Sequence, residues 1–450
     1  MRELTRRAFL SGSSATAGGL ALAGLGAACS GSDEGGDGAD GSPGAGAAAA
    51  PAPFDPADWA SVRDQFPLNT DVAQFSAFVL AAHPRPVAEA IERHRAGLDE
   101  HTHAYLPATE IDAETAVRSA AAEYLGARPA EIALTDSTTM GLGLLYGGLR
   151  LRPDQHVLTT EHDFYSTHQA LNLRAARDGV TVDRVRLYDD PATADAADVV
   201  DRLMAGVTPA TRVVAVTWVH SVSGVKLPVR AIADALAAAN AGRGPDDRAL
   251  LCVDGIHGLG VEDATVTDLG CDFLVAGTHK WIFGPRGTGI VYGRPESWPA
   301  VEAAIPAFED SSFGEWRNGS PPAPMDGLRF TPGGYHSFEH RWALAEAFRF
   351  HLDIGKDRVA ARTHEQATQL KSGLAEMDGV TLVTPPADGM SSGIVCFDID
   401  GTPPEDVLGR LVAAGIDASI TPYNEQHVRV GPGITTTPDE VDRLLDALSA

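Results

Sequence analysis

Short apolar runs of strand length alternate with amphipathic helical stretches through the middle of this chain, and that alternation leaves few folds open to it. Glu131–Leu134, His156–Thr159, Val213–Val216, Leu250–Val253 and Phe273–Ala276 read as strands, with helical spacing at Gly141–Leu149 and Val229–Ala239 between them. Strands separated by helices are joined by crossovers, which sets them parallel and lays the helices on both faces of one sheet. The expected fold class is therefore α/β, a mostly parallel sheet flanked by helices. Ser337–Leu352 reads as a long helix. Beyond it the pattern changes to helix, strand Gly393–Asp398, helix Glu405–Ala414, strand His427–Val430 and helix Pro438–Leu448, a smaller C-terminal α+β domain. The expected boundaries are 54–340 for the large domain and 341–450 for the small one.

Residues 1–29 read as a targeting segment. Thr5-Arg6-Arg7-Ala8-Phe9-Leu10, followed by a weakly apolar run to Ala28, resembles a twin-arginine export signal and is too short and glycine-rich for a spanning helix. Leu25-Gly26-Ala27-Ala28-Cys29 resembles a lipoprotein cleavage box, with Gly26 where leucine is usual. Lipidation of Cys29 and plain cleavage nearby both fit. Residues 30–53 are almost all Gly, Ala, Ser, Asp and Pro, too poor in apolar surface to offset the entropy of ordering, so a flexible tether is expected. The protein is thus expected outside the cytoplasm, either released or held to the membrane through a lipid on Cys29.

The formal net charge of −26 would repel phosphate backbones, which argues against a nucleic-acid partner. Apart from Cys29 the cysteines are Cys252, Cys271 and Cys396, each in or beside an apolar run and at no metal-ligand spacing, so they read as core residues.

In an open parallel sheet, ligands collect beyond the C-terminal strand ends. The residues that follow each expected strand are therefore the ones to inspect. Thr135-Asp136-Ser137-Thr138-Thr139 opens a helix, which serves equally as an ordinary N-cap or as an anion site for a phosphate. Glu161-His162-Asp163-Phe164-Tyr165 brings flat side chains to the same rim, where His162 either stacks on an aromatic ring or is a hydrogen-bonded loop histidine. Asp254-Gly255-Ile256-His257 places a carboxylate and an imidazole at the crevice, and a buried carboxylate facing a heteroaromatic nitrogen keeps that nitrogen protonated. Gly277-Thr278-His279-Lys280-Trp281 then sets one lysine at a strand exit, before the glycine-rich Gly284–Gly289 loop. A lysine held there near other positive charge loses its proton more readily and can attack an aldehyde.

Together these residues resemble the class V branch of the fold-type I pyridoxal-phosphate enzymes, which includes aminotransferases, cysteine desulfurases, isopenicillin N epimerase-like proteins and carbon–sulfur lyases. The resemblance runs from about Phe75 to the C-terminus, and its most specific pieces are Asp254–His257 and Thr278–Lys280 with the loop after it. It implies pyridoxal 5'-phosphate as cofactor, with Lys280 as the aldimine lysine and proton shuttle and Asp254 paired with the pyridinium nitrogen. It further implies His257 at the phenolic oxygen, His162 stacked on the ring, and Ser137, Thr138 and His279 on the phosphate. Ser221 falls at another cofactor position, Arg429 where a substrate carboxylate is bound, and a homodimer is implied.

Two departures bear on the reaction. Ser221 stands where desulfurases carry an asparagine, and Ala414–Thr421 holds no cysteine to accept sulfur, which argues against desulfuration. Gly334, in Pro332-Gly333-Gly334-Tyr335-His336, stands where many relatives place a threonine on the phosphate across the dimer, leaving Tyr335, His336 or Ser337 as substitutes. The expected activity is a pyridoxal-phosphate enzyme acting on an amino acid or amine, with transamination first and epimerisation or carbon–sulfur lysis as alternatives. The alternative of another class is a tethered solute-binding lipoprotein without catalysis, which has no need of Lys280 opposite Asp254.

Overall fold

The computed structural model describes residues 53–449. The export signal, the lipidation box and all but the end of the tether lie outside the described residues. After the short helix Trp59–Arg63 comes β1 (Ala73–Gln74) and then the helix Arg85–Leu125, which is broken at His101 (φ −139°, ψ 50°) and carries Pro107 inside. Seven strands follow: β2 (Ile132–Thr135), β3 (His156–Thr160), β4 (Thr181–Val185), β5 (Thr211–Thr217), β6 (Leu250–Asp254), β7 (Phe273–Gly277) and β8 (Gly289–Gly293). They form one sheet in the order β2-β8-β7-β6-β5-β3-β4. β3 to β7 pair in parallel, whereas β8 runs antiparallel to both β2 and β7.

The expected α/β architecture is what the chain adopts, because β2, β3 and β5 to β7 are buried along their whole length and read as continuous apolar runs. Two strands escaped the sequence reading for opposite reasons. β4 lies at the sheet edge and is mostly exposed, so it carries no apolar run, and β8 begins and ends in glycine. On one face Leu142, Leu145 and Tyr146 of the helix Thr138–Gly148 pack with Val157, Ala215 and Cys252; on the other, Val199, Leu203, Ile232 and Leu236 pack with Val214, Val216 and Leu251. The helix Thr138–Gly148 starts three residues before the expected Gly141, since Ser137 is its N-cap.

The C-terminal region adds β9 (Val380–Leu382), β10 (Val395–Ile399), β11 (Ile416–Asp417), β12 (Ser419–Ile420) and β13 (Val428–Val430). A four-stranded antiparallel sheet, β12-β13-β10-β9, packs on the helices Lys356–Ala375, Pro404–Ala413 and Pro438–Ser449 through Leu370, Leu374, Val407, Leu411, Val441 and Leu444. β1 pairs in parallel with β11, so Ala73 and Phe75 belong to this second core. Because β13 lies between β12 and β10, Arg429 is on an interior strand and not on an edge. Among the described residues no helix is long and apolar enough to cross a membrane.

Candidate active site

The loop after β7 turns back on itself within a few residues. Phe283 N–H donates to Lys280 O (2.8 Å), Gly284 N–H donates to Thr278 O (2.7 Å), and Phe283 takes the left-handed conformation at φ 57°. Such a conformation costs a non-glycine residue about 1–3 kcal/mol, and here the Phe283 ring is buried edge-on against Phe66 (4.9 Å). The turn is pinned from outside as well, because Ala81 N–H donates to His279 O (3.0 Å). Lys280 is thereby held facing back over the ends of β6 and β7.

Lys280 Nζ lies 3.4 Å from His257 Nε2, and Trp281 Nε1–H donates to His257 Nδ1 (3.4 Å). An Nδ1 that accepts from an indole leaves Nε2 as the protonated nitrogen, so His257 presents an N–H to the lysine amine. Burial, then the Lys280 and Arg429 charges, push His257 far below the usual imidazole range and keep it neutral. Lys280 is itself brought down to about 7, by burial and then by Arg429, against the opposing pull of Asp254. Asp254 is buried, accepts Ile256 N–H on Oδ1 (3.1 Å) and is raised to about 7, with burial the largest cause. A lysine that is half neutral at physiological pH and a carboxyl that ionises there are the properties the site chemistry requires.

At the helix Thr138–Gly148, Ser137 Oγ accepts Met140 N–H (3.1 Å), so its hydroxyl is engaged as an N-cap, and the first-turn N–H groups it does not serve face outward. Thr138 Oγ1 accepts Gly277 N–H (2.7 Å) and keeps its own proton to donate. A Cβ at Gly277 would lie 2.9 Å from the His279 ring and 3.0 Å from Thr138 Oγ1, so glycine is what lets Thr138 and His279 converge. His279 is held neutral by burial and then by Lys280, at about 4. Arg341, buried in the helix Phe338–Ile354, donates to Asp136 Oδ1 (3.1 Å) and lies 3.6 Å from Glu114. Gly334 is left-handed (φ 96°) with nothing beyond its chain neighbours within 4 Å of its Cβ position among the described residues, Tyr335 is exposed, and His336 Nδ1 donates to Gly334 O (3.1 Å).

His162 Nε2 accepts Leu187 N–H (3.1 Å), and its ring stacks on Tyr188 at 3.8 Å and 15°. Tyr188 takes one face of the imidazole, leaving only the opposite face for a planar ligand. Burial, then His220, lower His162 to about 3, so that ligand meets a neutral ring. Tyr188 OH bonds His220 Nδ1 (2.8 Å) and Ser223 Oγ (3.1 Å).

Arg429 is buried, with its guanidinium 4.7 Å over the Phe78 ring. Nε donates to Ser419 Oγ (3.1 Å) and Nη1 to Ser221 O (3.0 Å), which fixes the fork and leaves its other N–H groups for an anion. Ser221 Oγ pairs with Tyr423 OH (2.8 Å), so the hydroxyl expected at the cofactor is bonded to a phenol from the loop after β12. Sequence reading missed Phe78, Tyr188, His220, Arg341 and Tyr423. Only His220 carried a local signal, as a polar aromatic shortly after an expected strand.

With this geometry in place, comparison with known proteins decides the family. The model for aminotransferase class V matches residues 83–444. The chain belongs to the class V aminotransferase family. Isopenicillin N epimerase of Streptomyces clavuligerus is 26% identical over 404 residues, covering 88% of this chain and 98% of that protein, and the epimerase of Amycolatopsis lactamdurans is 26% identical over 416 residues, covering 87% and 98%. A probable cysteine desulfurase of Pyrococcus abyssi is 24% identical over 360 residues, covering 78% and 84%. Among solved structures, the cystine C–S lyase C-DES with its product cysteine persulfide superposes with a TM-score of 0.75 at 21% identity, covering 86% of this chain and 99% of that one. A cysteine desulfurase of Thermococcus onnurineus gives 0.73 at 22%, covering 87% and 97%.

Members of the class V family use pyridoxal 5'-phosphate, and the residues present fit it. Lys280 is a depressed amine for the aldehyde, Asp254 a buried carboxyl for the ring nitrogen, and His162 a neutral face for the ring. Thr138 and the helix N-terminus offer donors to the phosphate, and Gly277 leaves room for them.

Proposed function

We propose that this enzyme takes a proton from the α-carbon of an amino acid or amine and delivers it to a different carbon, with amino transfer to an oxo acid as the outcome. The observation that carries this reading is Lys280, a base brought to about 7 beside neutral His257, with Asp254 on the adjoining strand. When bound, the cofactor supplies the electron sink that acidifies the substrate's Cα–H. The fork of Arg429 binds a substrate carboxylate in place, and Lys280 Nζ takes the proton from the α-carbon and carries it to the second carbon. Asp254 holds negative charge at the ring nitrogen, while the first turn of the helix Thr138–Gly148 and Thr138 Oγ1 anchor the phosphate. One base on one side is all that amino transfer needs, and Lys280 is that base.

Epimerisation is the second reading. It is favoured by the two isopenicillin N epimerases, matched over 98% of their length, and by the Ser221–Tyr423 hydroxyl pair beside Arg429, which could deliver a proton from a second direction. Desulfuration is not proposed, because Cys252, Cys271 and Cys396 are all fully buried in core positions.

The test is a panel of amino acids with and without an oxo acid, on wild type and on Lys280→Ala. Amino transfer supports the first reading, solvent deuterium at Cα without transfer the second, and release of ammonia or a thiol a lyase. Normal turnover by Lys280→Ala would sink all of them.

Residues 1–53 carry a separate proposal, that the enzyme is exported and held by a lipid on Cys29. Fractionation of cells expressing wild type and Cys29→Ala checks it: both in the cytosol would reject export, and equal release of both would reject the lipid. A homodimer is proposed from the family, and sedimentation as a monomer would reject it.

A further inference from the structure

Beneath Asp254 the sheet carries polar groups that the proposed chemistry does not use. Side chains alternate across a strand, so Thr159, Thr217 and Asp254 share the face of Val157, Ala215 and Cys252, which pack with Tyr146. They lie at the C-terminal ends of the three neighbouring strands β3, β5 and β6, Thr159 one residue before the last of β3, with Thr217 and Asp254 in direct register. Asp163, just past β3, is 2% exposed, and its Oδ2 accepts from Thr159 Oγ1 (2.7 Å), Thr160 N–H (2.8 Å) and Thr160 Oγ1 (2.8 Å). Its Oδ1 is buried and has no donor among the described residues. Tyr146 OH and Thr217 Oγ1 are likewise buried without a partner among the described residues.

A turn cap explains Oδ2 but not the rest. Asparagine or serine would cap the same turn without burying a second carboxylate close to Asp254, and such a charge is costly unless it is used. Buried polar atoms without a partner call for an explanation, and three of them belong to residues on this face, packed against it or bonded to it. The electrostatics agree, since the Asp163 charge adds to burial in raising both Asp254 and Tyr146. The other titratable groups that bear on this pair are Lys280 after β7, Tyr146 and Cys252 on the same face, and His162, Tyr188 and Tyr423 above.

We propose that Asp163 is a positioning residue: its buried carboxylate, pinned through Oδ2 to the end of β3, adds a negative field behind Asp254 and so raises the proton affinity of Asp254 and the cofactor's ring nitrogen taken as a pair. This rests on the reading of Lys280 and Asp254 as the cofactor site. Asp163 touches neither substrate nor cofactor in this account. It supplies the field in which Asp254 works, and in a low-dielectric interior that field is little screened.

The experiment is a pH titration of the visible absorption of the holoenzyme loaded with pyridoxal 5'-phosphate, for wild type, Asp163→Asn and Asp163→Glu. Asparagine keeps an oxygen for Thr159 and Thr160 and loses the charge, while glutamate keeps the charge. The expected result is a midpoint lowered by about one pH unit in Asp163→Asn, a tenfold loss of proton affinity, and restored toward wild type in Asp163→Glu. An unmoved midpoint in Asp163→Asn, or equal shifts in both variants, overturns the inference. If Asp163→Asn does not fold, Asp163→Ser offers the turn an oxygen without charge, and the same two outcomes decide. A wild type with no visible band rejects the cofactor site and this inference with it; a normal wild-type band with an unmoved variant rejects this inference alone.

Discussion

Lys280 Nζ and His257 Nε2 face each other at 3.4 Å, with the lysine brought to about 7 and the histidine held neutral. A neutral amine is the form that attacks an aldehyde, so the pH dependence of cofactor loading follows. The rate at which cofactor-free protein takes up pyridoxal 5'-phosphate should rise about tenfold per pH unit below 7 and level off above it. Stopped-flow absorbance between pH 5 and 9 measures this. A rate still climbing at pH 9 would mean that Lys280 keeps an ordinary lysine affinity for protons.

Gly277→Ala would put a methyl 2.9 Å from His279 and 3.0 Å from Thr138 Oγ1. Overpacking of this kind costs about 1–3 kcal/mol, and cofactor retention should fall with it because Thr138 and His279 are pushed apart. Gly143→Ala is the control: outside its own helix turn nothing among the described residues lies within 4 Å of its Cβ position, and the helical site should gain about 0.5–1 kcal/mol. Urea midpoints and cofactor dissociation on both variants check the contrast.

Arg429→Lys keeps a charge but loses the fork that Ser419 and Ser221 orient. Hydrogen bonds to charged groups contribute about 1.5–3 kcal/mol, so KM for carboxylate-bearing substrates should rise about 10- to 100-fold. Amines without a carboxylate should change little. Equal losses for both substrate types would assign Arg429 to the architecture and not to substrate binding.

Asp254 and Lys280 give the cofactor-free protein a stability minimum near neutral pH. Asp254 has a folded pKa of about 7, above its unfolded value, so its contribution is intact below about 4 and is lost as pH rises through 7. Lys280 has a folded pKa of about 7, below its unfolded value, so the unfolded chain binds more protons between 7 and about 10 and stability climbs again there. Asp254→Asn should remove the acidic limb, a change of at most about 4 kcal/mol between pH 4 and 7. Urea unfolding of cofactor-free wild type and variant at pH 5, 7 and 9 reads it directly, and parallel curves would show that Asp254 ionises alike in both states.

Much of the site was legible because a parallel sheet writes its function at strand exits. Asp254, His257 and Lys280 each follow a buried apolar run, so pattern alone brought them to one rim. Ser137 was legible as a hydroxyl before a helix, and the structure uses that hydroxyl as the cap. Tyr423 was not legible, since its partner Ser221 lies 202 residues away and no local pattern links them. The same holds for Phe78 under Arg429.

What the sequence by itself determined is the chemistry on offer: one lysine, one carboxylate and one imidazole after neighbouring strands of an α/β sheet, and no cysteine placed to accept sulfur. Tertiary structure decided their states. Burial and the approach of Arg429, against the pull of Asp254, bring Lys280 to about 7, and an interior place for β13 makes Arg429 a fixed anion fork. Proton affinities depend on solvent exclusion and on charges brought close through space, and neither is written in the order of residues along the chain.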